Sequence, residues 1–179
     1  MEAPSTPPAE MSSAPAGPDK KSEAKTKLHA LITKHQLQVV ALGNGTGCRE
    51  TEELIADLIA TAAPDLAYVI VNEAGASVYS VSPVGREEFP DFDATLRGTI
   101  SIGRRLQDPL SELVKISPQN IGVGLYQHDV KQKHLQLSLD HVVESCVNYV
   151  GVDLNTASAP LLRYVSGLNQ LTARRVVEH

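Results

Sequence analysis

At 179 residues the chain has room for one domain or two small ones, and with 42% hydrophobic residues it can bury a core. It has no Trp, two Phe and five Tyr, so that core must be built from Val, Leu, Ile and Ala. The net charge of −5 excludes a general electrostatic pull toward nucleic acid or anionic membrane, and any polyanion site must be local.

The first 24 residues hold five prolines and little that is apolar beyond Ala and Met, which reads as a disordered tail. No Leu-rich run follows, and residues 1–19 carry acids but no Arg or Lys, so neither a secretory signal nor a transit peptide is expected. Residues 25–36 (KTKLHALITKHQ) place Leu28, Leu31, Ile32 and His35 at helical spacing. Residues 38–42 (QVVAL) read as a buried strand. A glycine turn follows. From Glu50 to Ala62, Leu54, Ile55, Leu58 and Ile59 mark one helical face, which Pro64 ends. Residues 67–71 (AYVIV) predict a second strand, and the order helix, strand, helix, strand points to a parallel sheet with crossover helices.

Beyond it, Pro83, Pro90 and Pro109 interrupt a mostly helical region. The firmest piece runs from Ala94 to Leu106, with Leu96, Ile100, Ile102 and Leu106 on its apolar side and Arg97, Arg104 and Arg105 on its polar side. After the glycine-rich stretch NIGVGLYQHDVKQK, a helix over 132–149 carries the stripe Leu135, Leu139, Val142, Val143, Cys146 and Val150. Two short helices, 157–165 and 170–178, flank SGLN, and Asn155 or Thr156 can cap the first of them. No strand is expected after about residue 72, so an α/β piece precedes an all-helical one. Cys48 and Cys146 read as free thiols, and no apolar run approaches the roughly 20 residues of a membrane helix. An intracellular protein, nuclear or cytoplasmic, with no membrane partner is expected.

The stretch ALGNGTGCRETE, 41–52, raises the first chemical question. Cys48, Arg49 and Glu50 stand where a P-loop needs Lys followed by Ser or Thr, and Cys48 stands where a dinucleotide fingerprint needs its last glycine. Two readings stay open. One is a tight turn whose glycines allow positive φ. The other is a phosphate contact through helix N-terminal amides and Arg49. Glu73 directly follows the second strand, and Asp91, Asp93 and Asp108 could approach it only through folding, whereas two-metal chemistry needs several converging carboxylates. The six histidines show no metal spacing, His128–Asp129 suits a hydrogen-bonded pair in a loop, and no Ser-His-Asp set is present, so no metal or cofactor is expected. LLRYVSGLNQLTARRVVEH gives a helical hairpin that can aim amides at a phosphate backbone, with Arg174 and Arg175 adding charge. An ordinary αα-hairpin packed on the long helix explains the same pattern.

ALGNGTGCRETE, VNEAGASVYS, REEFPDFDATLRGTISIGRRLQDPLSELVKISP, IGVGLYQHDV and VGVDLNTASAPLL, in this order, closely resemble the Tex family of transcription accessory proteins, with the animal branch the nearer match. The resemblance runs from about residue 28 to 179. It implies an α/β plus all-α chain. Residues 25–107 resemble the later part of a YqgF domain, an incomplete ribonuclease-H-like fold, and 110–179 resemble a helix-hairpin-helix domain. The family's N-terminal helical region and S1 domain are not in this sequence, so a fragment or shortened product is expected, with an open sheet edge and a marginal α/β part. Related nucleases carry a metal-binding Asp on a strand expected before residue 25. Glu73 resembles their second acid, and Arg97 to Ile100 offer no further one. The family is regarded as lacking nuclease activity, so a non-enzymatic protein is expected.

The resemblance further implies a nucleic-acid-binding module, for RNA or DNA or both, that contacts phosphate weakly and without sequence preference. Gly167, Leu168, Asn169, Thr172, Arg174 and Arg175, with Arg49, are its candidate residues. Gly167 and Leu168 match the hairpin motif, while Asn169 replaces its second glycine and could take a left-handed φ. Transcription- or ribosome-associated proteins are the implied partners. The alternative is a protein-interaction scaffold whose nucleic acid is bound by the absent S1 domain.

Overall fold

The computed structural model describes residues 20–179. The expected tail lies outside the described residues as far as residue 19. Residues 20–24, assigned to the same tail, are instead the first turn of helix α1 (Lys20–His35), where Glu23 pairs with Lys27 one turn on.

Strand β1 (Val39–Gly43), helix α2 (Cys48–Thr61) and strand β2 (Ala67–Val71) form the βαβ unit that the sequence predicts. The strands are parallel, in register from Val39 opposite Ala67 to Gly43 opposite Val71. Ile32 of α1, Leu58 of α2 and Leu66 form a core, with Leu28, Val40, Ile59 and Ala63 packed around it. Lys25 Nζ lies 2.7 Å from Asp57 Oδ2 and ties α1 to α2. That hydrogen bond and charge hold the Asp57 carboxyl below the usual carboxylate range.

The strands are less buried than their apolar sequences predict. Leu42 is buried, but Val39, Val69 and Ile70 are each at least 40% exposed. Among the described residues the sheet has two strands, so each strand keeps an edge without a ladder partner. Side chains not covered by a helix remain in solvent.

Helices α3 (Ala76–Val81), α4 (Pro83–Glu88) and α5 (Ala94–Gln107) follow, then α6 (Pro109–Leu113) and α7 (Pro118–Ile121). Pro83 and Pro109, read as interruptions, open helices after capping residues, where their missing N–H costs nothing. Ser82, Asp93 and Asp108 accept from Gly85, Leu96 and Ser111 backbone N–H at 3.0, 2.8 and 2.9 Å.

Helix α5 buries a face other than the expected one. Ser101 and Arg105 are buried, while Leu96 and Leu106 are exposed. Arg105 Nη1 donates to the carbonyls of Asn72 at 2.6 Å and Ala74 at 2.9 Å, just past β2. A buried guanidinium is the price of satisfying those carbonyls. Burial pulls Arg105 below its ordinary pKa, and Glu112 and Glu73 oppose the shift.

The helical part comprises α8 (Gln132–Val150), α9 (Ala159–Leu162) and α10 (Gln170–Glu178), and no strand follows β2 among the described residues. Its core joins Val114, Val147 and Leu161, with Leu110, Val143, Val152 and Tyr164 around them. The buried line of α8 therefore runs through Val143 and Val147, four residues apart. Val142, Cys146 and Val150 of the expected stripe are exposed, because the packed partners cover only this narrow line. Ser158, rather than Asn155 or Thr156, precedes α9 at the N-cap position, and Asn155 donates instead to Asp153 Oδ1. Helix α9 ends at Leu162, and tighter turns carry the chain on to Val165.

A buried ionic cluster ties α3, α4 and α5 to α6 and the turn after it. Lys115 Nζ lies 2.9 Å from Glu88 Oε1 and 2.8 Å from Glu112 Oε2, and the Lys115 and Glu112 side chains are 4% and 3% exposed. Arg104 Nη1 reaches Glu88 Oε2 at 3.1 Å, and the Tyr79 hydroxyl donates to the same oxygen. Desolvation, followed by the hydrogen bond and charge of Glu88, pushes the Tyr79 phenol far above its ordinary value.

Candidate nucleic-acid interface

The hairpin at 166–169 is shaped by its sequence. The backbone N–H of Leu168 donates to Val165 O at 3.0 Å, and Gly167 takes φ +89° in the third position of that turn. A side chain there would be strained even though the space is open. Asn148 of α8 anchors the turn from outside. It accepts from Ser166 N at 3.0 Å and donates to Tyr164 O at 3.0 Å. Sequence reasoning missed Asn148, because its partners lie 16 and 18 residues away.

Asn169 does not take the left-handed conformation. Its φ and ψ are −113° and 175°, an extended N-cap geometry. Its Oδ1 accepts from both Leu171 N and Thr172 N at 3.0 Å, and Thr172 Oγ1 accepts from Asn169 N at 2.8 Å. Two of the amides expected to face phosphate are thus already occupied. We expect Asn169→Ala to remove this cap and lower stability by about 1 kcal/mol, measurable by urea unfolding; an unchanged midpoint would show the cap to be idle.

Leu168 is half-buried, while Arg174 and Arg175 are exposed. Neither arginine has a hydrogen bond or ion pair with a described residue. Arg163 is also exposed, with its guanidinium 4.6 Å above the Tyr164 ring. Gly167, Leu168, Asn169, Thr172, Arg174 and Arg175 therefore gather on one hairpin. Arg49 does not join them; it stands in the first turn of α2, on the α/β part.

Near Arg49, the glycine turn has a different explanation from the expected one. Gly43, Gly45 and Gly47 do not take positive φ. Instead a Cβ on Gly43 would lie 2.7 Å from Glu73 Oε2, and one on Gly45 would collide with the same carboxylate. Asn44 accepts from Glu73 N at 3.0 Å and fixes the approach. Gly43 and Gly45 leave room for Glu73 to lie over the turn, where its negative charge opposes an anion; a Cβ on Gly47 would meet open space. Beside Glu73, a shallow cavity of about 360 Å³ is lined by Ser77, Ser80, Thr95 and Thr99. Among the described residues, no three His, Cys, Asp or Glu side chains gather as a candidate metal site. Arg97, Arg104 and Arg105 are each engaged, with Phe89 O, Glu88 and the Asn72 and Ala74 carbonyls.

Residues 11–107, more than half of the chain, match the Tex protein YqgF-like domain. The chain belongs to this family. Residues 147–179 match the helix-hairpin-helix motif, the segment that contains the Gly167 turn. The chain is 60% identical over 161 residues to "Protein tex" of Bordetella pertussis, covering 89% of this chain and 20% of that protein. Identity is 56% to the "Transcriptional accessory protein Tex" of Neisseria gonorrhoeae, covering 85% and 20%. It is 53% to the human "S1 RNA-binding domain-containing protein 1", covering 85% and 16%. Of these three, the bacterial proteins have the higher identities. The chain spans about a fifth of the length of these relatives.

Within the chain, the two matched segments meet the structure differently. The YqgF-like match takes in α1 from its first residue, earlier than the boundary at 25 that composition suggests. The hairpin match begins inside α8 at residue 147 and so takes in Asn148, the residue that anchors the turn. No helix among the described residues is long and apolar enough to cross a membrane.

Proposed function

We propose that this chain is a non-enzymatic nucleic-acid-binding module of a transcription-associated protein. On this reading it contacts the phosphate backbone of RNA or DNA weakly and without sequence preference, through the α9–α10 hairpin. The observation that carries it is the pair Arg174 and Arg175, exposed and without an acidic partner, on the helix that follows the Gly167 turn. Because Asn169 occupies two of the helix amides, the guanidinium groups carry the contact. Binding is then charge-driven and falls with salt. The names of the Neisseria and human relatives, a transcriptional accessory protein and an S1 RNA-binding protein, favour the same setting.

The α/β part is, on this reading, an incomplete ribonuclease-H-like unit. Its parallel pair, with Glu73 just beyond β2 and α5 packed across the sheet, supports that relationship. On this reading the unit serves as a scaffold rather than a nuclease, with Glu73 lying over the glycine turn. We expect no cleavage of labelled RNA, duplex DNA or a four-way junction with magnesium or manganese. Cleavage lost in Glu73→Ala would overturn this part.

The test of binding is Arg174→Glu with Arg175→Glu, read by fluorescence anisotropy over a salt series. We expect weaker binding to every RNA and DNA sequence tried, a log–log salt slope shallower by about 1 for each arginine, and unchanged helical content. A variant matching wild type at every salt concentration would move the site elsewhere. The scaffold reading draws on a different observation, the outward Tyr149, Val150 and Leu154 at 92%, 68% and 60% exposure around the end of α8. It is the reading left standing if wild type binds no nucleic acid even at low salt.

A further inference from the structure

The stretch between α7 and α8 belongs neither to the hairpin nor to the α/β unit, and its construction is unusual. Residues 122–131 lack regular secondary structure, yet side-chain hydrogen bonds hold the loop in place. Gln127 accepts from Val123 N at 3.0 Å and donates to Gln119 O at 3.2 Å. Gln132, at the start of α8, donates to Gln127 O at 2.8 Å and Val130 O at 3.1 Å. The Asp129 N–H closes a turn onto Tyr126 O at 3.0 Å, and Gly122 takes φ +98° at the loop's entry.

This bracing directs two large apolar side chains outward. Leu125 is 93% exposed and Tyr126 is 75% exposed. A loop held by its own polar groups gains nothing in stability from showing these residues to water. The exposed pair is better explained as a contact surface that needs little ordering on binding.

The surrounding charge selects the occupant. His128 and Asp129 share the turn with Tyr126, and Lys131 and Lys133 flank the Gln132 that is bonded to the carbonyl of Gln127. All of these side chains are exposed. Neither lysine is paired with a described carboxylate, and Asp129 is the single acid in the loop. An exposed aromatic on a loop braced to a helix start that carries two unpaired cations matches the chemistry of a single strand, whose bases stack on the ring while its phosphates meet the ammonium groups. A base in a duplex is already stacked and has no free face to offer.

We propose that Tyr126, supported by Leu125, is a stacking platform for one base of a single-stranded nucleic acid, and that Lys131 and Lys133 hold the adjoining phosphates. This site is separate from the hairpin and gives the chain a preference for single strands that the hairpin arginines do not supply.

The test uses the whole chain with fluorescein-labelled oligouridine, oligothymidine and a duplex of equal length. Tyr126→Ala is expected to weaken single-strand binding about ten-fold, within the range for one base stacked on an aromatic ring, and to leave duplex binding unchanged. Tyr126→Phe keeps the ring and is expected to retain affinity. Lys131→Ala with Lys133→Ala is expected to flatten the single-strand salt slope by about 1.4. Circular dichroism checks that each variant is folded. Equal losses on single strand and duplex, or no loss in Tyr126→Ala, would overturn the platform. So would a Tyr126-dependent self-association in sedimentation, which would make the loop a protein interface. The hairpin variant Arg174→Glu with Arg175→Glu is measured in parallel. It is expected to weaken single strand and duplex alike, so failure of either site is seen independently.

Discussion

Lys115→Met is expected to lower the unfolding free energy by about 3–5 kcal/mol, the usual cost of leaving a buried charge without its partner. Methionine keeps most of the apolar stem and its packing, so the variant tests the ammonium group. That group lies between Glu88 and Glu112, at 2.9 and 2.8 Å, and 5.6 Å above the Tyr79 ring. The carboxylates respond differently to its loss. Glu88 is 24% exposed and retains Arg104 at 3.1 Å. The Glu112 side chain is 3% exposed, and its Oε1 already lacks a hydrogen-bond partner. Most of the cost therefore falls on Glu112. Adding Glu112→Gln to Lys115→Met should recover a large share of it, because a neutral amide is far cheaper to bury than a carboxylate. Urea unfolding of the wild type, the single variant and the double variant provides the measurement. A single variant within about 1 kcal/mol of wild type, in the range of an exposed pair, would show that the cluster contributes no more than a surface ion pair.

Gly85→Ala is the second large effect. A methyl group on Gly85 would collide with the backbone carbonyl oxygen of Tyr79 and crowd its carbonyl carbon at 3.3 Å. A backbone atom cannot rotate out of the way. Tyr79 is completely buried, and its hydroxyl is bonded to Glu88, so displacing its carbonyl disturbs the α3–α4 corner and the ionic cluster together. The loss is expected at or above the upper end of the roughly 1–3 kcal/mol usual for overpacking. Gly45→Ala provides the contrast. The atoms in its way are the tip of the Glu73 side chain, which can swing toward solvent. It should cost well under 1 kcal/mol while moving the carboxylate off the turn. A Gly85→Ala protein with the same urea midpoint as Gly45→Ala would overturn this account of the corner.

The two glycines also show where sequence reading reaches its limit. ALGNGTG announces a turn between strand and helix, and a turn stands there. Why it needs glycine is decided by Glu73, about 30 positions away, whose carboxylate comes to rest on Gly43 and Gly45 only after β1 and β2 have paired. In the candidate site, the helical hairpin, the Gly167 turn and the exposure of Arg174 and Arg175 were legible in LLRYVSGLNQLTARRVVEH. The capping role of Asn169 had a local signal in its spacing from Thr172, and the comparison with a glycine motif obscured it. The anchor Asn148 had no such signal.

The sequence was enough for the parallel βαβ unit, the long helices α5 and α8, the lack of a later strand among the described residues and the bounds of β2 and α10, but not for the short helices α3, α4, α6 and α7. These follow from signals spanning a few residues, such as a β-branched run or a helical repeat. Tertiary structure alone decided that α5 turns Ser101 and Arg105 inward, that α8 buries Val147 and leaves Cys146 exposed, and that Lys115 lies between two carboxylates. Periodicity ranks the faces of a helix by apolar content. The carbonyls left beyond β2 need a donor from another element, however, and the guanidinium of Arg105 meets that need from a helix face that apolar content would have placed in water.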